Sequence, residues 1–288
     1  MSAHDKQQVP ERVGVLGGGR MGAGIAHAFL ISGAAVTVVE VDDEAAQAAR
    51  ARIEKDIRAS VERGKISGEA DEWAKKLETA TDASAFADRQ LVIEAVPEIW
   101  DLKVESLRRA ESNVGENSWL ATNTSSMSVD GLAETLERPE RFCGLHFFNP
   151  VPASKLVEVV VGKKTSEELQ GHTQEWVAGL NKTPVTVHDA PGFASSRLGI
   201  ALSLEAIRMV EEGVASPEDI DHAMTLGYKH PVGPLALTDI VGVDVRLDIA
   251  EYLESKLGSR FSPPQLMRDM VERGELGKKT GKGFYSYE

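Results

Sequence analysis

The chain has 288 residues, of which 42% are hydrophobic, and a formal net charge of −13. That length predicts about two domains with ordinary cores, and the acidic balance argues against nucleic acid as a main partner. The single cysteine, Cys143, rules out an intramolecular disulfide and fits a reducing, cytoplasmic compartment, while no apolar run approaches the roughly 18 residues of a membrane span and the polar start MSAHDKQQVPE has no signal-peptide core.

The first element is a short apolar run, Val13 to Leu16, of the length of a buried strand. Gly17, Gly19 and Gly22 follow in G-x-G-x-x-G spacing, and an amphipathic helix pattern opens behind them with Ile25, Ala28 and Phe29 on one side, ending at Gly33. Strand, glycine turn and helix in that order form the dinucleotide-binding context. Gly17 permits the tight turn, Gly19 lets a pyrophosphate approach the backbone, and Gly22 lets the helix pack close to the strand. The helix N-terminus, with Arg20 and Met21 in its first turn, faces the anion. A second apolar run, Ala35 to Val39, ends in Glu40, 18 residues after Gly22. A carboxylate there suits the adenosine ribose hydroxyls and repels a 2′-phosphate, so NAD is expected over NADP.

Residues 43–63 form a long charged helix with a narrow stripe of Ala46, Ala49, Ile53, Ile57 and Val61. From Arg50 to Lys65 six basic residues stand against three acidic ones. That excess suits a phosphorylated ligand or, equally, a solvated helix face. A short helix is expected at about 69–77. Leu91 to Val96 reads as the third parallel strand, with Ala95 and Glu98 at its C-terminal end, where an open parallel sheet holds its ligand. A helix near 99–112 and a strand near 118–122 precede Asn123-Thr124-Ser125-Ser126. These polar residues are ligand contacts or, on the plainer reading, a cap or turn.

Two strand-like runs, Phe142 to Phe148 and Lys155 to Val161, flank the turn Asn149-Pro150-Val151-Pro152. In the second run Glu158 sits among apolar neighbours, and a buried carboxylate requires a partner. A reversal at the proline turn could bring His146 to it; alternatively, Glu158 is exposed and His146 unrelated. A helix at 165–180 and a strand, Pro184 to Val187, end the first domain. Beyond the linker at 188–192 only helices are expected, at about 193–212, from Ser216-Pro217 to Gly227, and at 234–241, 242–257 and 263–273. The fold class is therefore α/β: a Rossmann-type dinucleotide-binding domain at 1–188 and a smaller all-helical domain at 189–288.

Several stretches together resemble the 3-hydroxyacyl-CoA dehydrogenase family, in its short, stand-alone bacterial form. They are GGGRMGAGIA at 17–26, ATNTSS at 121–126, GLHFFNPVPASKLVEVV at 144–160, PGF at 191–193, EDIDHAM at 218–224 and GKKTGKGFY at 277–285. The resemblance implies reversible oxidation of an (S)-3-hydroxyacyl-CoA, short-chain substrates such as 3-hydroxybutyryl-CoA, NAD as cofactor, no metal, and a homodimer made through the helical domain. It implies His146 as the base, Glu158 as the acid that orients it, and Ser125 as a hydrogen-bond partner of the substrate's 3-oxygen. It places Glu98, Lys103 and Asn123 at the cofactor, with Gly17, Gly19, Arg20, Met21, Gly22, Glu40 and Ala95. Lys55 and Lys65 fall where the family covers coenzyme A. One position departs: Ser196 stands where the family commonly has asparagine, leaving a shorter group with one donor instead of two. Competing readings are a related dehydrogenase for a sugar acid or carnitine, and a non-catalytic NAD-binding protein.

Overall fold

The computed structural model describes residues 9–287; the N-terminal stretch read as lacking a signal core lies, through residue 8, outside the described residues. Contacts divide the chain into one unit up to Asp189 and a second from Ala190 onward.

The first unit holds β1 (Arg12–Leu16), α1 (Arg20–Ile31), β2 (Ala35–Val39), α2 (Asp43–Glu62), α3 (Ala70–Ala74), β3 (Leu77–Ala80) and β4 (Leu91–Glu94). After these come α4 (Trp100–Glu111), β5 (Trp119–Thr122), α5 (Val129–Ala133), β6 (Phe142–Phe147), β7 (Leu156–Val161), α6 (Glu167–Gly179) and β8 (Thr183–His188). The strands make one eight-stranded sheet in the order β3-β2-β1-β4-β5-β6-β7-β8. β1 pairs in parallel with β2 on one side and β4 on the other. The order therefore reverses at β1, and the crevice beyond its C-terminal end is where such sheets bind ligands. Only β6 and β7 run antiparallel, because the short proline turn between them leaves no room for a crossover.

Val13, Val15, Val36, Val38 and Ile93 of the strands are buried in one core with Ile25 and Phe29 of α1 and Ile53 and Ile57 of α2. Each such aliphatic or aromatic side chain contributes roughly 1.5–3 kcal/mol by leaving water. α2 starts at Asp42, whose side chain accepts a hydrogen bond from the Ala45 N–H at 2.8 Å, satisfying one of the helix's open donors. α1 is tied to α2 by a buried 2.9 Å contact between His27 Nε2 and Ser60 Oγ.

Two expectations need correction. The strand beside β2 is β3, at Leu77–Ala80, where the sequence reading had no strand at all; the helix before it stops at Ala74. β3 is four residues long and half-exposed beyond Leu77, so as an edge strand it carries little apolar signal. The strand read as ending at Val96 ends at Glu94, because the Glu94 carboxylate turns back to accept the Val96 N–H at 2.7 Å and the chain leaves the sheet there.

The second unit is helical: α7 (Ser195–Glu211), α8 (Pro217–His222), a π-helical turn (Ala223–Gly227), α9 (Pro234–Val241), α10 (Val243–Leu257) and α11 (Gln265–Glu272). Ser216 caps α8 by accepting the Asp219 N–H at 3.1 Å, with Pro217 in the first turn. Its core includes Ile200, Leu204, Ile207, Leu235, Ala250 and Leu253. The C-terminal tail is fixed by two buried carboxylates. Asp239 accepts from the Phe284 and Tyr285 N–H groups at 3.0 and 2.9 Å and from the Tyr287 hydroxyl at 3.0 Å. Asp221 accepts from the Leu235 and Ala236 N–H groups and the Tyr285 hydroxyl, each at 2.8 Å. Burial and Asp239 push the Tyr287 hydroxyl up to about 12.

Candidate active site

The glycine turn sits at the C-terminal end of β1. Gly17 has φ +93°, a conformation that side chains with a Cβ avoid. A Cβ on Gly22 would overlap the Gly17 carbonyl oxygen, so the helix can approach the turn only as glycine. Nothing lies within 4 Å of where a Cβ on Gly19 would stand, and Gly19 is also the cap of α1 with no side-chain hydrogen bond of its own. The backbone N–H groups at this end are thus presented to a ligand rather than to a protein side chain. Glu40 folds over the turn: its carboxylate accepts the Gly18 N–H at 2.5 Å and the Val41 N–H at 3.1 Å. Gly17, Gly19, Arg20, Met21, Glu40 and Ala95 line one cleft of about 740 Å³.

Met21, Ala95 and Val96 also line a second, adjoining pocket of about 330 Å³, together with Glu98, Lys103, Asn123, Ser125 and His146. Residues scattered over the sequence are brought together here by the sheet. His146 on β6 stands directly opposite Glu158 on β7, and its Nδ1 lies 2.9 Å from Glu158 Oε2. His146 is 6% and Glu158 1% exposed. The carboxylate fixes the ring's orientation and favours Nδ1 as the protonated nitrogen, so exchange of a proton with a pocket ligand falls to Nε2. The Asn123 carboxamide oxygen accepts the Phe147 N–H at 2.9 Å, joining the end of β5 to the end of β6 and so setting the Ser125 loop against His146.

Beneath the pocket lies a network that sequence reasoning did not find. Glu94, fully buried, accepts from Lys103 Nζ at 2.7 Å and from the Thr122 hydroxyl at 2.6 Å. Lys103, 1% exposed, also pairs with Glu98 at 3.2 Å. Glu98 in turn accepts from Thr124 Oγ1 at 2.5 Å, the Ser125 N–H at 2.9 Å and the Ser126 hydroxyl at 3.0 Å. Burial would raise the Glu98 carboxyl, but the Lys103 ammonium and these hydrogen bonds hold it below the usual carboxylate range. Lys103 therefore borders the pocket with its ammonium already engaged by two carboxylates. The signal for Glu94 was a charged residue inside an apolar strand, followed nine residues later by a lysine on the next helix.

On the other side of Arg20, a cleft of about 590 Å³ is lined by Arg20, Arg52, Arg63 and Lys65, with Asp56, against the turn Asn149–Ala153. Lys182 holds that turn through the Val151 and Ser154 carbonyls at 2.6 and 2.5 Å. Lys55 is exposed on α2 and is not among the residues of this cleft. Ser196 lies in the first turn of α7, in the helical unit.

Residues 12–190 match the NAD-binding domain, and residues 192–287 the C-terminal domain, of 3-hydroxyacyl-CoA dehydrogenase. The chain is 42% identical over 281 residues to a 3-hydroxybutyryl-CoA dehydrogenase of Mycobacterium tuberculosis, covering 96% of this chain and 98% of that one. It is 38% identical to the mitochondrial hydroxyacyl-coenzyme A dehydrogenase of Sus scrofa over 100% of this chain and 94% of that one. Among solved structures it resembles the (S)-3-hydroxybutyryl-CoA dehydrogenase of Ralstonia eutropha, with a TM-score of 0.92 and 39% identity over 97% of this chain and 99% of that chain.

Proposed function

Because the chain belongs to the 3-hydroxyacyl-CoA dehydrogenase family and is an NAD-dependent oxidoreductase, we propose that it interconverts (S)-3-hydroxyacyl-CoA and 3-oxoacyl-CoA, with short chains such as 3-hydroxybutyryl-CoA among its substrates. The observation that carries this reading is the buried His146–Glu158 pair at 2.9 Å in a pocket that shares Met21, Ala95 and Val96 with the cleft of the glycine turn.

The residues at that turn fit the cofactor: an open Gly19, an uncapped helix end for the pyrophosphate, and the Glu40 carboxylate where the ribose of NAD would lie. NAD, when bound, supplies the acceptor or donor of the hydride. The rest is proton handling by the chain. In the oxidation, His146 takes the hydroxyl proton at Nε2, and Glu158 stabilises the imidazolium through Nδ1. Ser125 donates a hydrogen bond to the substrate's 3-oxygen, and Ser196 serves the same oxygen from the helical unit. Asn123, with Glu98 and Lys103 behind it, shapes the wall that the nicotinamide meets. In the reverse direction His146 returns the proton. Lys65, with Arg52 and Arg63, meets the phosphates of coenzyme A, and Lys55 adds to the positive field from the same helix.

The helical unit pairs with a second copy of the chain; exposed Leu198, Leu226, Tyr228 and Ile240, at 71%, 69%, 75% and 55%, support this. A cytoplasmic setting is supported by the lone, buried Cys143, whose thiol burial pushes up to about 12. The reading is tested by following NADH absorbance with acetoacetyl-CoA. NADH oxidation at ordinary enzymatic rates is expected. No oxidation with any 3-oxoacyl-CoA, but turnover with a sugar acid or carnitine, would replace the substrate; no turnover at all would leave a dinucleotide binder.

A further inference from the structure

The helical unit holds a buried cation without a counter-charge. Arg246 is 7% exposed, and among the described residues no acceptor meets its Nε. Burial pushes the guanidinium below its ordinary value, with no neighbouring carboxylate acting the other way. Its position is not an accident of a loose side chain. Val243, Arg246, Ala250 and Leu253 form the buried stripe of α10, so helix packing holds Arg246 inside. Its Nη1 stands 3.1 Å from where a Cβ on Gly199 would be; the missing side chain at 199 makes the room.

Gly199 follows Ser196 by three residues on α7, which puts both on one face of the helix, about 4.5 Å apart along its axis. A guanidinium is the side chain best matched to a carboxylate, which it can grip with two parallel hydrogen bonds. Burying one unpaired is costly, and the cost is recovered if a ligand brings the missing anion. We propose that Arg246 binds a carboxylate at the far end of the substrate's acyl chain, so that the thioesters used by this protein include those of dicarboxylic acids. This rests on the reading above, in which Ser196 serves the 3-oxygen. The step from Ser196 to the guanidinium then corresponds to a few chain carbons beyond C3.

The test compares NADH-dependent reduction of two CoA thioesters of equal length, those of 3-oxohexanedioic acid and 3-oxohexanoic acid, by the wild type, Arg246→Met and Arg246→Lys. The wild type is expected to favour the charged chain in kcat/KM by about 30-fold or more, as for other buried charge pairs. Arg246→Met should abolish that preference and Arg246→Lys should keep part of it. A wild-type ratio near one, or a ratio unchanged in Arg246→Met, overturns the proposal. Reduction of the neutral chain alone overturns it while leaving the dehydrogenase reading intact; reduction of neither removes both. If Arg246→Met instead turns a dimer into a monomer in sedimentation with the ratio intact, the guanidinium serves a second copy and the proposal fails.

Discussion

Lys103 in the sheet unit and Arg246 in the helical unit are both almost wholly buried, at 1% and 7% exposure, yet their surroundings differ. Lys103 lies 2.7 Å from Glu94 and 3.2 Å from Glu98. Arg246 has no such neighbour, and its Nε is without an acceptor. The helical unit is able to satisfy buried charge: Asp221 and Asp239 each accept three hydrogen bonds there. The difference teaches that a buried charge can serve the fold or wait for a ligand. Lys103 closes a network that holds the Ser125 loop in place, whereas Arg246 is left open.

The largest expected effect comes from breaking the closed network. Lys103→Met leaves Glu94 and Glu98 facing each other without a cation and should cost about 3–5 kcal/mol of stability, read as a fall in Tm; an unchanged Tm would mean the network holds nothing. The intermediate effect sharpens the role of buried, uncharged groups. Burial lowers the His27 pKa from 6.5, despite the opposing pull of Asp56. The unfolded chain therefore takes up a proton as pH falls through about 6.5 while the folded one resists. Stability is full above that pH and declines below it, by at most about 1.4 kcal/mol per pH unit for this one group. His27→Leu should flatten the decline between pH 7.5 and 5.5, and an equal slope would remove His27 as its source. The smallest effect is expected at the open charge: Arg246→Met should leave Tm level or raise it by about 1 kcal/mol equivalent, since no internal partner is lost. A drop as large as that of Lys103→Met would erase the contrast between the two sites.

Much of this was readable from the chain, because some constraints are local. The strand, the glycine spacing and the acid at Glu40 lie within 30 residues and follow from turn and helix geometry. The pairing of His146 with Glu158 was legible because alternation along β7 and a short proline turn fix the register of two strands. What was missed depends on contacts distant in sequence. β3 is short and lies at the sheet edge, so it lacks a strong apolar pattern. Glu94 was absorbed into an apolar run, and only the fold shows that Lys103 reaches it. The glycine at 18 looked like filler, yet a Cβ there would crowd Ala49. Arg246 was in plain view as a charge on the three–four–three spacing of Val243, Ala250 and Leu253, a position where a helix facing a core should be apolar.

The central claim is that His146, held by Glu158, moves the proton beside a cofactor seated at the glycine turn. It is tested most directly by measuring kcat for acetoacetyl-CoA reduction and Kd for NADH in the wild type and His146→Ala. The account predicts a kcat lower by about 10²–10⁴-fold with NADH binding retained. An unchanged kcat would contradict it.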